Sequence, residues 1–304
     1  MSCLRPLEVE NRYGGKSLVP CGHCVNCTIK KIQELKVYAM AEYAQNANNN
    51  RSSSFIRLSY NDANLPVIYK GELKRLGELA INNVVPTDFL PTLLKSDFQK
   101  FMKRLRILIQ RKYDNRKIKY IYCGEYGERS TQRSHYHLIL FGLSYKEAEH
   151  LIKQCWDFGF CDYKPFEAGA VSYIAKYMFH DVYGKQKEEK YTNKGIEPPF
   201  LYHSTNLGKD YLKQYEEIGT VKLNGRYWSF PKYYAKKYNI QKKLYTKKEL
   251  EQFEKEGIIK AKDYVNLSRS RGIAIDSTSM NYIPDVEIPT KKFNYKEFIK
   301  QNEN

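Results

Sequence analysis

The segment 117–143, KIKYIYCGEYGERSTQRSHYHLILFGL, constrains the fold more than any other. Two runs rich in β-branched and aromatic residues flank a loop of Gly, Glu, Arg and Ser, the pattern of an antiparallel hairpin. Side chains at i and i+2 of a strand share a face. Tyr136, Leu138 and Leu140 therefore point one way, and His135 and His137 project together the other way. A buried polar group is costly without a partner, so these imidazoles need hydrogen bonds or a metal ion. Two neutral imidazoles do not satisfy a divalent ion alone, and a carboxylate is expected beside them. Glu125 ends the first run and should face the start of the histidine strand across the ladder. Glu128 and Asp114 are weaker alternatives.

The flanking sequence supplies helices and further strands. Residues 31–47 read as a helix with Ile32, Leu35, Tyr38 and Ala39 on one face. SFIRLSYND, 54–62, reads as a strand, and so does GFCDYKPF, 159–166. Residues 61–95, with Pro66, Pro86 and Pro91, read as an irregular insertion holding a short helix near 71–80. KSDFQKFMKRLRILIQRKY is a strongly amphipathic helix with Ser96 as candidate N-cap. Phe98, Phe101, Met102, Leu105 and Leu108 form its apolar stripe; Lys103, Arg104, Arg106, Arg111 and Lys112 lie on the other face. Residues 145–155 look helical, as does AGAVSYIAKYMFHDV, buried on its Val171, Ile174 and Met178 side. Residues 185–199 read as a linker or exposed loop, 242–264 as a charged helix, and the C-terminal tail as extended or disordered. The expected class is α+β, an antiparallel sheet with flanking helices behind an N-terminal Cys-rich segment. The expected organisation is a Cys-rich segment 1–30, a main domain 31–185 with an insertion near 61–95, and a basic, partly helical region 186–304.

Charge narrows the partners. The formal net charge is +17, which draws the chain toward polyanions, and 27 tyrosines offer rings for bases to stack on. A lysine-rich composition from an AT-biased genome would give the same charge, so charge alone is suggestive. No apolar run reaches the ~18 residues of a membrane span, and the N-terminus has no apolar signal region, so a cytoplasmic protein is expected.

Seven cysteines are an odd count in a chain of this kind. CGHCVNC places Cys21, Cys24 and Cys27 at two-residue gaps, and Cys3 is a possible fourth thiolate. Such a set suits structural Zn²⁺. A ferredoxin-type cluster would want cysteine where Lys31 stands. His23 is a substitute ligand, and unliganded thiols are the plainer alternative. Cys123, Cys155 and Cys161 are scattered and read as packing residues.

SYIAKYMF sets Tyr173, Lys176 and Tyr177 on one helical face. Two phenols and an ammonium suit phosphodiester attack by tyrosine, with a metal ion polarising the phosphate and a 5′-phosphotyrosine link as the product. A second tyrosine would permit a second cleavage, and the lysine would stabilise developing charge. The pattern is weak alone: Tyr122/Tyr126, Tyr211/Tyr215 and Tyr234/Tyr238 share the spacing, and YAKKY at 234–238 repeats even the lysine. That last repeat follows Pro231 amid lysines and looks more like a phosphate-contacting surface.

Taken in order, CLRP, VPCGHCVNC, FIRLSYNDANLP, SDFQKFMKRLR, GEYGERSTQRSHYHLILFG, YIAKYMFHD, HSTNLGKDYL and FPKYYAKKY resemble the replication initiation proteins of small single-stranded-DNA phages. The likeness is to the gokushovirus branch of the microviruses and, through it, to the HUH endonuclease superfamily. It covers the chain from residue 3 to about 240. It implies an HUH endonuclease-like fold over 31–185, with the metal histidines on a central strand and the tyrosine helix facing them. It implies His135 and His137 as metal ligands, Tyr173 and Tyr177 as nucleophiles and Lys176 as their helper; Glu125 is a less certain third ligand. Ser134 departs from the proline usual in the family at that position, which bears on strand entry rather than chemistry.

The function so implied is rolling-circle initiation: a nick in single-stranded or locally melted origin DNA, a 3′-hydroxyl for the host polymerase, and later closure of the circle. Mg²⁺ or Mn²⁺ is the expected ion. Host helicase and polymerase are the expected protein partners, and the bacterial cytoplasm the compartment. Lys103, Arg104 and Arg106 are candidate phosphate contacts, with a solvated helix face as the alternative. Three other readings stand beside this one: a transposase or relaxase of the same superfamily, a non-catalytic zinc-containing DNA-binding protein, and a metal hydrolase of small molecules. The last explains neither the charge nor the tyrosine helix.

Overall fold

The computed structural model describes residues 3–10, 14–80, 86–113, 116–127, 132–176, 184–216, 220–223 and 225–238. The chain divides into two compact units, Cys3–Leu207 and a second from Gly208 onward that also takes in Met1–Ser2. The expected helix at 242–264, the expected disordered tail and Tyr177 lie outside the described residues.

The first unit is built on a five-stranded antiparallel sheet. Its strands are β3 (Ser53–Tyr60), β7 (Lys119–Tyr126), β8 (Ser134–Phe141), β9 (Gly159–Pro165) and β10 (Phe200–His203), in the spatial order β10-β7-β8-β3-β9. The hairpin expected from the sequence is β7–β8, and β8 is the central strand. Alternation along it sorts the core into two layers. Tyr136, Leu138 and Leu140 join Ile56 and Leu58 under α2 (Lys95–Lys112) and α3 (Tyr145–Ile152). Ile139 and Phe141 join Ile121 and Cys123 under α1 (Val25–Asn48) and α4 (Ala168–Lys176). The architecture is therefore α+β, with helices on both sides of an antiparallel sheet. Of the scattered cysteines, Cys123 and Cys155 are buried within these layers and Cys161 packs against one of them, as their reading as packing residues requires.

Several local expectations change. Helix α1 begins at Val25, six residues before the expected 31, because Cys24 occupies its N-cap position and the cysteine cluster forms its entry. Ser96 does not cap α2. Leu94 holds that position without a side-chain bond, and its backbone is fixed instead by the buried Tyr136 hydroxyl, which accepts from Leu94 N–H at 3.0 Å. Asp97, in the first turn, places its charge where the helix dipole favours it.

The 61–95 segment is ordered rather than irregular. β4 (Pro66–Tyr69), β5 (Glu72–Arg75) and β6 (Leu90–Pro91) form a three-stranded antiparallel sheet, followed after β5 by one 3₁₀ turn at Leu76–Leu79 in place of the expected helix. Pro66 opens its strand and Pro91 lies on an edge, the positions a sheet tolerates. A buried network ties this sheet to α2. Arg75 donates to both oxygens of the fully buried Asp97 at 2.9 and 2.8 Å, and the Tyr60 hydroxyl donates to the same carboxylate at 2.8 Å.

Residues 184–199 are also more structured than a linker. They contain α5 (Gly184–Lys190) and a 3₁₀ turn at Thr192–Lys194, and Glu197 is pinned at 2.6 Å by both Lys95 Nζ and the Tyr126 hydroxyl. In the second unit, α6 (Lys209–Lys213), the hairpin β11 (Thr220–Leu223) and β12 (Arg226–Ser229), and α7 (Lys232–Lys237) are described.

Candidate metal centre and tyrosine helix

The β7–β8 register pairs Glu125 with His135 and Cys123 with His137. Directly opposed residues share a face, so one carboxylate and two imidazoles meet on the α1/α4 side of the sheet. Nε2 of His135 and Nε2 of His137 each lie 2.6 Å from the same oxygen, Glu125 Oε1. Glu125 and His137 are buried; His135 is half-buried. Burial alone would raise the Glu125 carboxyl, but the two histidine contacts outweigh it and hold it below the usual carboxylate range. Burial pushes His137 below the ordinary histidine value, against the opposing pull of Glu125.

The donor set fits a divalent cation. His135 Nδ1 lies 3.2 Å from the Arg133 carbonyl, which can only accept. A neutral His135 with its proton there presents a lone pair at Nε2, aimed at a carboxylate oxygen that also offers lone pairs. Only a shared cation, a proton or a metal ion, makes that arrangement favourable. Glu125 Oε2 and His137 Nδ1 are buried without a hydrogen-bond partner among the described residues, so the second carboxylate oxygen is unspent. The ligand atoms of all three residues lie within 4.8 Å of one another. Two nitrogens and a carboxylate suit Mg²⁺ or Mn²⁺ less selectively than Zn²⁺, but oxygen polarisation at phosphate is work done by the harder ions.

Helix α4 faces this centre. Tyr173 Oη is 3.4 Å from His137 Nε2, and its ring stands edge-on to His137 with centroids 4.9 Å apart. Phe55 completes the wall, stacked on His137 at 5.5 Å and edge-on to Tyr173 at 6.0 Å. Val171 and Ile174 anchor α4 in the core, so Tyr173 is left on its outward side, 39% exposed. Lys176 ends the described part of the helix; its side chain and all of Tyr177 are outside the described residues, as are the alternative carboxylates Glu128 and Asp114. Among the other tyrosine pairs, Tyr234 of YAKKY is buried and stacks on Tyr238 at 5.5 Å, which makes it a packing residue.

The basic helix sits elsewhere. α2 packs on the sheet face opposite to the histidines, so Lys103, Arg104 and Arg106 are exposed on a surface separate from the metal centre. Arg104 is paired with Asp157 at 2.6 Å, and Arg106 lies over the Tyr120 ring at 5.6 Å. The sequence reading missed the residues that border the centre on β3 and β9, Arg57 and Phe160. Their exposure depends on β3 lying between strands far away in the chain, and the short-range pattern does not encode that.

A second group of ligands converges at the start of α1. Cys3 Sγ lies 3.5 Å from Cys21 Sγ and 3.8 Å from Cys24 Sγ, and Cys27 completes a set whose sulfurs lie within 4.8 Å of one another. All four are free thiols. Backbone N–H groups point at the sulfurs: Leu4 at Cys24 (3.4 Å), Cys21 at Cys3 (3.3 Å), and His23 and Cys24 at Cys21 (3.5 and 3.3 Å). Such bonds favour thiolate. The Leu4 amide leads the contacts that lower Cys24 to about 6, while burial raises Cys27 to about 11. Cys3, rather than His23, supplies the fourth ligand position.

Comparison with known proteins agrees with this geometry. The family model of the replication-associated protein ORF2 matches residues 86–182, the span that runs from α2 through the metal hairpin to the tyrosine helix. The chain is 26% identical over 285 residues to replication-associated protein ORF4 of Chlamydia phage 1, covering 86% of this chain and 61% of that protein. It is 26% identical over 255 residues to replication-associated protein ORF2 of Spiroplasma virus 4, covering 71% of each. No solved structure matches the chain significantly. The resemblance to microvirus replication proteins drawn from the motifs is thus borne out. No helix among the described residues is long and apolar enough to cross a membrane.

Proposed function

We propose that this chain, being similar to microvirus replication-associated proteins, initiates rolling-circle replication as an HUH-type nickase and strand transferase. The single observation that carries the reading is the Tyr173 hydroxyl 3.4 Å from His137, whose Nε2 meets that of His135 on one Glu125 oxygen.

Glu125, His135 and His137 would hold Mg²⁺ or Mn²⁺. When bound, the ion supplies charge that polarises a phosphate oxygen and orients the scissile group. The protein does the rest. Phe55 and His137 fix the Tyr173 ring, so its hydroxyl is presented to the phosphate without a search over rotamers. The tyrosine oxygen bonds to phosphorus, the bond to the 3′ oxygen breaks, the phenol gives up its proton and the departing oxygen gains one. One phosphoester replaces another, and the energy of the strand is conserved in a 5′-phosphotyrosine. A free 3′-hydroxyl remains for the host polymerase, assisted by the host helicase. Tyr177, one turn on, is the second nucleophile and Lys176 its charge partner in this proposal. The substrate is single-stranded or locally melted origin DNA in the cytoplasm of a bacterial host. The thiolates of Cys3, Cys21, Cys24 and Cys27 hold structural Zn²⁺, tying the N-terminus to the start of α1.

The test is a cleavage assay on single-stranded origin DNA with Mn²⁺, read as a DNA–protein adduct on a denaturing gel. The adduct is expected from the wild type and not from His137→Ala or the Tyr173→Phe/Tyr177→Phe double variant; the single variants show which tyrosine acts first. DNA binding without an adduct on any origin-bearing strand would overturn the enzyme and leave a zinc-containing DNA-binding protein.

A further inference from the structure

The metal centre lies on a sheet face that helices cover only in part. α1 and α4 bury Ile121, Ile139 and Phe141, but the β3–β9 side of the same face is open. The register there is His135, Ser59, Phe160 in a row across three strands, with His137, Arg57, Asp162 in the next row. Phe160 is 67% exposed, the most exposed aromatic side chain among the described residues. Adjacent strands are about 4.8 Å apart, so Phe160 stands about 10 Å from His135 along the sheet.

A single exposed apolar residue is ordinary on a protein surface. Three observations set this one apart. Its backbone is held on both sides: Ser59 Oγ donates to the Phe160 carbonyl at 3.4 Å, and Asn61 N–H to the Phe158 carbonyl at 3.0 Å. Gly159 lies so close to β3 that a Cβ there would collide with the Ser59 carbonyl and the Asn61 amide, so the strand presents the ring from a fixed position. Its neighbours on the open face are cationic: Arg57, oriented by a 2.7 Å hydrogen bond from Nε to Asp162, and the exposed Lys164, which has no ion-pair partner among the described residues.

A rigid exposed ring beside cations, in line with a phosphate-directed metal centre, has the chemistry of a nucleobase platform. A duplex keeps its bases stacked inside, so the occupant is single-stranded. We propose that Phe160 stacks on a base next to the scissile phosphate and fixes the register of the single strand over Tyr173, with Lys164 and Arg57 along its backbone. The inference rests on the nickase reading and deepens it: Phe160 is a positioning residue that sets which phosphate is cut.

The experiment uses the full chain and origin oligonucleotides carrying 2-aminopurine at successive positions around the nick. The wild type is expected to quench one position strongly. Phe160→Ala loses that quenching, binds the strand roughly fivefold to a hundredfold more weakly and scatters the cleavage position; Phe160→Tyr restores all three. Tyr173→Phe keeps the quenching and loses the adduct. Phe160→Ala identical to wild type in quenching, affinity and cleavage position overturns the platform. Wild-type quenching with no adduct overturns the nickase reading and leaves stacking supported.

Discussion

At the scale of single residues, the centre depends on one carboxylate oxygen serving two imidazoles. Glu125→Gln keeps the shape and removes the charge. A direct ligand should cost at least what an outer partner does, so Mn²⁺ binding by calorimetry is expected to weaken by about 100-fold or more. The adduct should fall with it, while the melting temperature without metal should change little. Glu125, His135 and His137 were legible because the strand period is two and a hairpin pairs its own ends. Tyr173 was legible only through the order of motifs, since many tyrosine pairs share its spacing. Phe160 was not legible. Its alternation with Asp162 and Lys164 marks an exposed face, but which sheet face that is depends on β3, about a hundred residues earlier.

At the scale of elements, the sheet at 66–91 and helix α2 are joined by a buried charge. Asp97 is fully buried and Arg75 is its ionic partner. Arg75→Ala leaves the carboxylate unpaired, and a loss of about 3–5 kcal/mol is expected in urea unfolding. Helix α3 shows a milder case. Ser144 Oγ accepts from Glu147 N–H at 3.3 Å, and Glu147 Oε2 accepts from Ser144 N–H at 2.8 Å. Ser144→Ala should cost about 1 kcal/mol. Burial would raise Glu147, but Ser144 and Arg116 together hold it below the ordinary 4.5. Its folded value is depressed, so its contribution is full above 4.5 and lost as pH falls through the folded value. Melting curves of wild type and Glu147→Gln should differ at pH 7 and converge in acid. The helices and long strands could be read from periodicity. The small sheet could not, because its strands are short, contain prolines and pair through a buried arginine that looks like any surface cation in the sequence.

At the scale of the whole molecule, a net charge of +17 makes DNA binding steeply salt-dependent. Affinity for a non-origin single strand should fall roughly a thousandfold between about 50 and 200 mM salt. Treatment with a thiol-competing zinc chelator should lower the melting temperature, and Cys27→Ser should abolish that response. The antiparallel sheet with flanking helices was legible as a class; the strand order was not, since it comes from pairings between distant segments. That order has a consequence for the timing of synthesis. β3, at 53–60, is flanked by β8, at 134–141, and β9, at 159–165, while β10, at 200–203, closes the far edge. An emerging chain therefore carries an unpaired, apolar strand for as long as its neighbours are still inside the ribosome. Such distant pairings form slowly. The carboxylate, the imidazoles and the tyrosine come together only once most of the first unit has left the exit tunnel. A growing chain thus holds no competent cutting centre, and the strand that needs shelter most in the meantime is β3, a natural client for a chaperone of the host.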